Sequence, residues 1–227
     1  MMPRRSLSIL TLLMLVLAWP QTSHGAAQES KQSPPGFPDA LTDGQILFEV
    51  IGQVKNSPSP GPGLPATSVQ YGYLSYIPKL GDSETFLPGA VQNDTTALFT
   101  FYNESNTLRV TPHGRWMIVV REGTMTVYYH PGAGGDLTTP NPDSFRGGTP
   151  ILTSTWRHRV IFEPTPSGLF FVTFANTITS SSVVNVGAKM LRLGRPGDKF
   201  TMSFVGGPDP AGLVNGKFAG TAIATSD

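Results

Sequence analysis

Alternation of apolar and polar residues is the feature that most constrains what this chain can fold into. From Ile151 to Phe162 the even positions are largely apolar and the odd positions largely polar, and Leu169–Ile178 and Phe200–Phe204 repeat the pattern. Successive side chains of a β-strand point to opposite faces, so a period of two predicts a strand with one buried face. The alternation therefore predicts a domain built from amphipathic strands.

Further strands are expected in segments rich in β-branched and aromatic residues, namely Val69–Ile77, Ala97–Asn103, Ala188–Leu193 and Lys217–Ala224. Segment Gln45–Val54 also fits one helical face. Its β-branched content and its nearby glycines favour a strand. Arg115–Arg121 and Thr124–His130 alternate on either side of Gly123, which predicts a hairpin that turns at this glycine.

The strand content predicts an all-β fold. About ten short, evenly spaced strands favour a single antiparallel β-barrel of about 8–10 strands, with a β-sandwich as the alternative. Closure of a barrel removes exposed strand edges, which favours the barrel. A barrel embedded in an outer membrane is a weaker option, because it would need longer and more regular strands. The barrel domain is expected to span residues 41–227.

The first 25 residues have the layout of a secretory signal peptide. Arg4 and Arg5 precede an apolar run from Leu7 to Trp19, and small residues lead to a cleavage site near Gly25/Ala26. The run is too short to span a bilayer, which takes roughly 20 residues. We therefore expect a secreted or periplasmic protein with no stable membrane anchor after cleavage. Residues 26–40 are polar and proline-rich and predict a disordered leader.

Charge and cysteine content narrow the classes of partner and chemistry. Removal of residues 1–25 takes away two arginines and leaves 14 basic and 15 acidic side chains. Such a balance gives no electrostatic reason to expect nucleic acid as a partner. The chain has no cysteine, which excludes disulfides, thiol catalysis and zinc–thiolate sites. The oligomeric state is left open.

Three stretches resemble the barrel shared by allene oxide cyclases and plant dirigent proteins. They are Leu98–Tyr102 (LFTFY) with the following Leu108–Val110, the hairpin around Gly123, and Gly216–Ala222, which looks like a G-x-F-x-G-x-A element. Together they cover about a fifth of the chain, and the chain ends sooner after the last element than it does in those families. The resemblance implies an eight-stranded antiparallel barrel with an apolar cavity that binds or cyclises small hydrophobic molecules. It carries over no catalytic residue.

Several side chains are candidates for a ligand site inside the barrel. His158 and Asn176 interrupt otherwise apolar strand faces, and a buried polar group needs a hydrogen-bond partner, which a ligand could supply. His158 is also a candidate for an acid–base catalyst. The complete predicted ligand-binding set combines these two residues with aromatic neighbours and two tyrosines: Tyr71, Tyr73, Trp156, His158, Phe170, Phe174 and Asn176. Ordinary core packing is the alternative interpretation of these residues.

No motif predicts a metal or cofactor site. The spacing of His113, His130 and His158 matches no metal-ligand pattern, and no nucleotide-binding glycine motif is present. We therefore expect neither a metal nor a cofactor. In the long loop 131–150, Asp143 and Arg146 flank an aromatic residue and could hold a lid over the barrel mouth. The alternative is a surface loop held by an Asx-turn at Asp143.

The sequence leaves three functions open. The first is an exported barrel that binds a small, mostly apolar molecule in its interior. The second is a cyclase or isomerase on the same barrel, with His158 or a tyrosine as acid–base catalyst. The third is a structural envelope protein with a solid core and no ligand. A cavity of ligand size would favour the first two over the third.

Overall fold

A computed structural model describes residues 41–139, 141–164, 167–212 and 214–225. The predicted signal peptide (1–25) and leader (26–40) lie outside the described residues. These described residues form ten strands and two single-turn helices, α1 (Asp82–Thr85) and the 3-10 turn η1 (Pro142–Phe145). The strands are β1 Ile46–Ser57, β2 Thr67–Tyr76, β3 Phe99–His113, β4 Trp116–Tyr129, β5 Thr149–Phe162, β6 Phe170–Ser181, β7 Val184–Val186, β8 Lys189–Leu191, β9 Lys199–Gly207 and β10 Gly216–Thr225.

Eight strands close into one antiparallel barrel, in the order β1-β10-β9-β6-β5-β4-β3-β2 and back to β1. The small strands β7 and β8 pair only with each other. The predicted all-β barrel is thus confirmed, and the ambiguous segment Gln45–Val54 lies within strand β1. Within the described residues, no helix has the length and apolar character needed to cross a membrane.

The predicted hairpin around Gly123 is wrong. Strand β4 runs without a break through Gly123, which pairs with Trp156 of β5 and Ser105 of β3. A Cβ atom at this position would overlap the backbone of Glu104. Glycine is therefore needed here because the neighbouring strand lies very close, and the chain does not turn at it. The true turn into β4 lies at Gly114, where φ is +60°.

The strand register shows which side chains enter the barrel. Residues directly opposite each other in an antiparallel pair share one face of the sheet. The pairs can be followed around the barrel, for example from Val119 to Val160 and on to Val172 and Phe204. All of these are buried inward positions. The two candidates from the sequence, His158 and Asn176, belong to the same inward face, as predicted.

One end of the barrel is filled. The connections from β2 to β3 and from β6 to β9 both lie at this end, and their apolar side chains join the main core. These side chains include Ile77, Leu80, Leu98, Val186, Leu191 and Leu193. Their burial closes this end, so any space for a ligand must lie towards the opposite one.

Candidate functional site

A cavity of about 450 Å³ lies at the opposite end of the barrel, where β1, β3, β5 and β9 end and the other four barrel strands begin. This volume is within the ~300–1,000 Å³ range of small-molecule sites. We call it the mouth cavity. Its lining residues are Val54, Asn56, Ala66, Gln70, Thr107, Val110, Val119, Arg121, Val160, Phe162, Pro164, Gly168, Phe170, Val172, Phe204, Pro208, Asn215 and Phe218.

Aromatic rings separate the mouth cavity from the filled part of the barrel. Phe204 and Phe218 both line the cavity and stack with ring centroids 4.5 Å apart. Phe174 lies behind them, 4.8 Å from Phe204 between centroids, and does not line the cavity. We call Phe204 and Phe218 the aromatic floor. They give the cavity a rigid apolar base, against which an apolar ligand would lose contact with water.

Polar groups enter the mouth cavity from strands β2, β3 and β4. Arg121 on β4 pairs with Thr107 and His158 in register, so its side chain shares their inward face. Its Nε donates a hydrogen bond to Thr107 Oγ1 at 3.1 Å. Gln70 also lines the cavity, and its Oε1 accepts a hydrogen bond from Asn103 at 3.3 Å. Burial lowers the pKa of Arg121 to about 10, so the guanidinium remains charged at neutral pH.

His158 lies one inward position deeper in the barrel than Val160 of the cavity wall, and it is 2% exposed. Its ring stacks on Trp156 at 4.7 Å between centroids and meets the edge of Phe174 at 4.6 Å. Burial, with the positive charge of Arg121 as a second cause, lowers the pKa of His158 to about 3. The imidazole is therefore neutral at physiological pH. Among the described residues, neither ring nitrogen has a hydrogen-bond partner.

Asn176 is also buried, on the strand next to that of His158 and on the same inward face of the barrel. Its Oδ1 accepts a hydrogen bond from Ser154 Oγ at 3.3 Å, whereas its Nδ2 and the Nε1 of Trp156 have no partner in the described part of the chain. Unpaired buried polar atoms are rare in native proteins and often mark a functional or strained position. None of these three residues lines the mouth cavity itself.

The structure divides the predicted ligand-binding set into three groups. Phe170 lines the mouth cavity. Trp156, His158, Phe174 and Asn176 lie together in the layer behind it. Tyr71 and Tyr73 are on the outer face of β2. Their register partners on β1, Gln53 and Ile51, also face outward, because they alternate with inward residues of that strand, which are Val50, Gly52 and Val54. Ligand binding by these seven residues remains a prediction.

Loop 131–148 packs on the outer wall of the barrel, which we define as the outward faces of β1, β2 and β3. Phe145 is fully buried against Tyr71, with ring centroids 5.3 Å apart. The predicted contact between Asp143 and Arg146 is present at 2.9 Å, and Arg146 also lies 4.9 Å above the ring of Tyr102. None of the described residues of this loop lines the mouth cavity. The interpretation as a lid over that mouth is therefore wrong.

The loop contains an Asx-turn, but the residue that forms it is Asn141, two positions before the predicted Asp143. Asn141 Oδ1 accepts a hydrogen bond from the backbone nitrogen of Asp143 at 3.2 Å. On the barrel side, Gln53 Nε2 donates to the carbonyl of Leu137 at 2.9 Å, and Tyr71 donates to Gln53 Oε1 at 3.1 Å. Tyr71 is thus buried by a loop that covers the sheet, which explains why a tyrosine on the outer face is 0% exposed.

Arg121 is the residue that the sequence prediction missed. The assumed turn at Gly123 made Ile118 and Val120 the buried face and left Arg121 outside. A signal was present, because the odd positions Met125 and Val127 continue the same alternation through Gly123 to Arg121. Without the turn, the period of two places Arg121 inside the barrel, where the structure has it.

The lining of the mouth cavity is suited to binding more than to proton transfer. A general acid or base works best when its pKa is near the working pH, and neither Arg121 nor the neutral His158 meets that condition. No carboxylate lies among the described lining residues. No group of three or more histidine, aspartate or glutamate side chains in the described ranges could hold a metal ion.

Comparison with known proteins finds no relative of this chain. No protein-family model, no curated protein and no solved structure matches this chain. The resemblance to allene oxide cyclases and dirigent proteins therefore stays a prediction, and the function must be argued from the cavity itself.

Proposed function

We propose that this protein is an exported β-barrel that binds a small, mostly apolar molecule in its mouth cavity. The observation that carries the proposal is a cavity of about 450 Å³ with a phenylalanine floor and valine walls. Small-molecule sites typically combine such apolar walls with a few polar groups that orient the ligand, and barrel mouths are a frequent place for them. Gln70, Thr107 and Arg121 are polar groups of this kind, and Asn56 and Asn215 also line the cavity.

The cyclase or isomerase alternative has less support. It requires a proton-transfer group that reaches the ligand, and His158 is both behind the cavity wall and held neutral. The envelope-protein alternative requires a solid interior, which fits only the filled end of the barrel.

Binding can be tested with the neutral fluorescent probe N-phenyl-1-naphthylamine. We expect saturable binding with one site per chain. Val160→Phe places a ring in the cavity and should weaken the affinity at least about tenfold, equivalent to about 1.4 kcal/mol. Val172→Phe, directly opposite on β6, provides a second cavity-filling variant.

Ile161→Phe is the matched control, because Ile161 adjoins Val160 on β5 but faces outward and is 37% exposed. It should bind the probe like the wild type. Thermal unfolding establishes that each variant is folded. Absence of saturable binding by the wild type, or equal binding by both cavity-filling variants, would contradict the proposal.

Export has its own test. The full chain is produced in a bacterium, and the mass of the periplasmic or secreted product is measured. We expect a protein that begins at Ala26. A product that retains residues 1–25 would contradict the signal-peptide prediction and leave the binding proposal unaffected.

A further inference from the structure

Within the described lining of the mouth cavity, Arg121 has no counter-charge. It is the only charged side chain among the described residues that line the mouth cavity. Its one hydrogen bond within the described chain joins Nε to Thr107, a neutral hydroxyl, at 3.1 Å. A guanidinium has five N–H donors, so most of the donors of Arg121 remain for other hydrogen-bond partners.

The carboxylates of strands β3 and β4 face the other way. Glu104 on β3 and Glu122 on β4 alternate with the inward residues and lie on the outside of the barrel. There Glu104 contacts Arg146 and Glu122 contacts Arg157, each at 3.5 Å. The barrel wall therefore separates these carboxylates from Arg121. An ionised group in an apolar site is costly unless it is paired.

We propose that the ligand carries one anionic head, a carboxylate, which binds to Arg121 while its apolar remainder lies against the aromatic floor. This inference rests on the proposed binding function and specifies the class of molecule. A carboxylate matches the planar fork of a guanidinium and can accept two parallel hydrogen bonds from it. Gln70 lines the same cavity, and since its oxygen is bonded to Asn103, its amide nitrogen is the group left to donate.

The surroundings favour a single negative charge. His158, the register neighbour of Arg121 on β5, is neutral at physiological pH and adds no second cation. The rest of the lining is apolar or uncharged. A dianion such as a phosphate ester would leave charge uncompensated in this site, whereas an apolar monocarboxylate would leave none.

The test compares decanoate with decanol, which have the same chain length and differ in the charge of the head group. Each displaces N-phenyl-1-naphthylamine from the wild-type protein near pH 7.5. We expect decanoate to bind about tenfold more tightly or better, as hydrogen bonds to charged groups allow. Arg121→Gln should lose this preference, and Arg121→Lys should retain part of it.

Arg157→Gln is the matched control, because Arg157 faces outward on the adjacent strand with its side chain 68% exposed. It should keep the wild-type preference for decanoate. If the wild type binds the probe but prefers decanol or shows no preference, the inference is overturned and the binding proposal stands. If the wild type binds none of the three molecules, the binding proposal itself fails. The wild-type comparison decides the inference even if Arg121→Gln does not fold.

Discussion

At the scale of single residues, His158 links the stability of the barrel to pH. Its pKa is about 3 in the folded protein, against an ordinary value of about 6.5 in an unfolded chain. Between these values the unfolded chain binds a proton that the folded protein does not. The free energy of unfolding is therefore lowest in acid and rises with pH up to about 6.5, by about 1.4 kcal/mol per unit.

Replacement of His158 by phenylalanine should remove this pH dependence. We expect the wild type to lose about 2 kcal/mol more unfolding free energy than His158→Phe when the pH falls from 7 to 5. Urea unfolding at the two pH values measures the difference. His130, whose pKa burial also lowers, is present in both proteins and cancels.

His113→Gln is the control for loss of a histidine elsewhere, at an exposed position near the end of β3. Equal acid sensitivity of the wild type and His158→Phe would contradict the assignment of a buried neutral imidazole.

At the scale of the strands, inward glycines make room for aromatic rings. Gly220 of β10 lies opposite Phe204 of β9, and Gly52 of β1 lies opposite Phe218. The rings fill the space that a glycine leaves on the neighbouring strand, and this pairing forms the aromatic floor. A Cβ atom at Gly220 would overlap Cδ1 of Phe204 and the carbonyl of Ser203.

Gly220→Ala should therefore destabilise the barrel by about 1–3 kcal/mol, since overpacking forces rings and backbone to shift. Chemical unfolding provides the measurement. Gly61→Ala is the control, because nothing lies within 4 Å of a Cβ atom there. A neutral effect at Gly220 would show that the floor can rearrange freely.

The loop on the outer wall gives a second prediction at this scale. Phe145→Ala removes a fully buried ring from its contact with Tyr71 and should cost about 3–5 kcal/mol of unfolding free energy. Its affinity for N-phenyl-1-naphthylamine should equal that of the wild type, because loop 131–148 is absent from the mouth cavity. Val91→Ala, at a side chain that is 79% exposed, is the control.

A large change in probe affinity for folded Phe145→Ala would restore the interpretation of this loop as a lid.

Alternation predicted most strands because a period of two is a local property of the chain. The prediction failed at Gly123, because glycine occurs both in turns and within strands where a neighbouring backbone lies too close for a side chain. It also did not show that Tyr71 and Tyr73 face outward, because their burial there depends on a loop distant in sequence. No local pattern encodes that contact, so the position of the two tyrosines could not be predicted from the sequence alone. The inward position of Arg121 could have been, because the alternation continues through Gly123.

At the scale of the whole molecule, the barrel is solid at one end and hollow at the other. Alternation shows which side chains enter the interior, and it does not show whether their summed volume fills the space. The connections after β2 and β6 fill one end, whereas the other end is lined by valines around the Phe204–Phe218 pair. This difference between the two ends leaves a cavity in the barrel that a small molecule could occupy.

A crystal structure of the protein grown with decanoate tests the central claim most directly. The account predicts one ligand in the mouth cavity, with its chain between Val160 and Phe218 and its carboxylate on Arg121. An interior filled by the protein's own side chains at this end, or a ligand bound only on the outer wall, would contradict it.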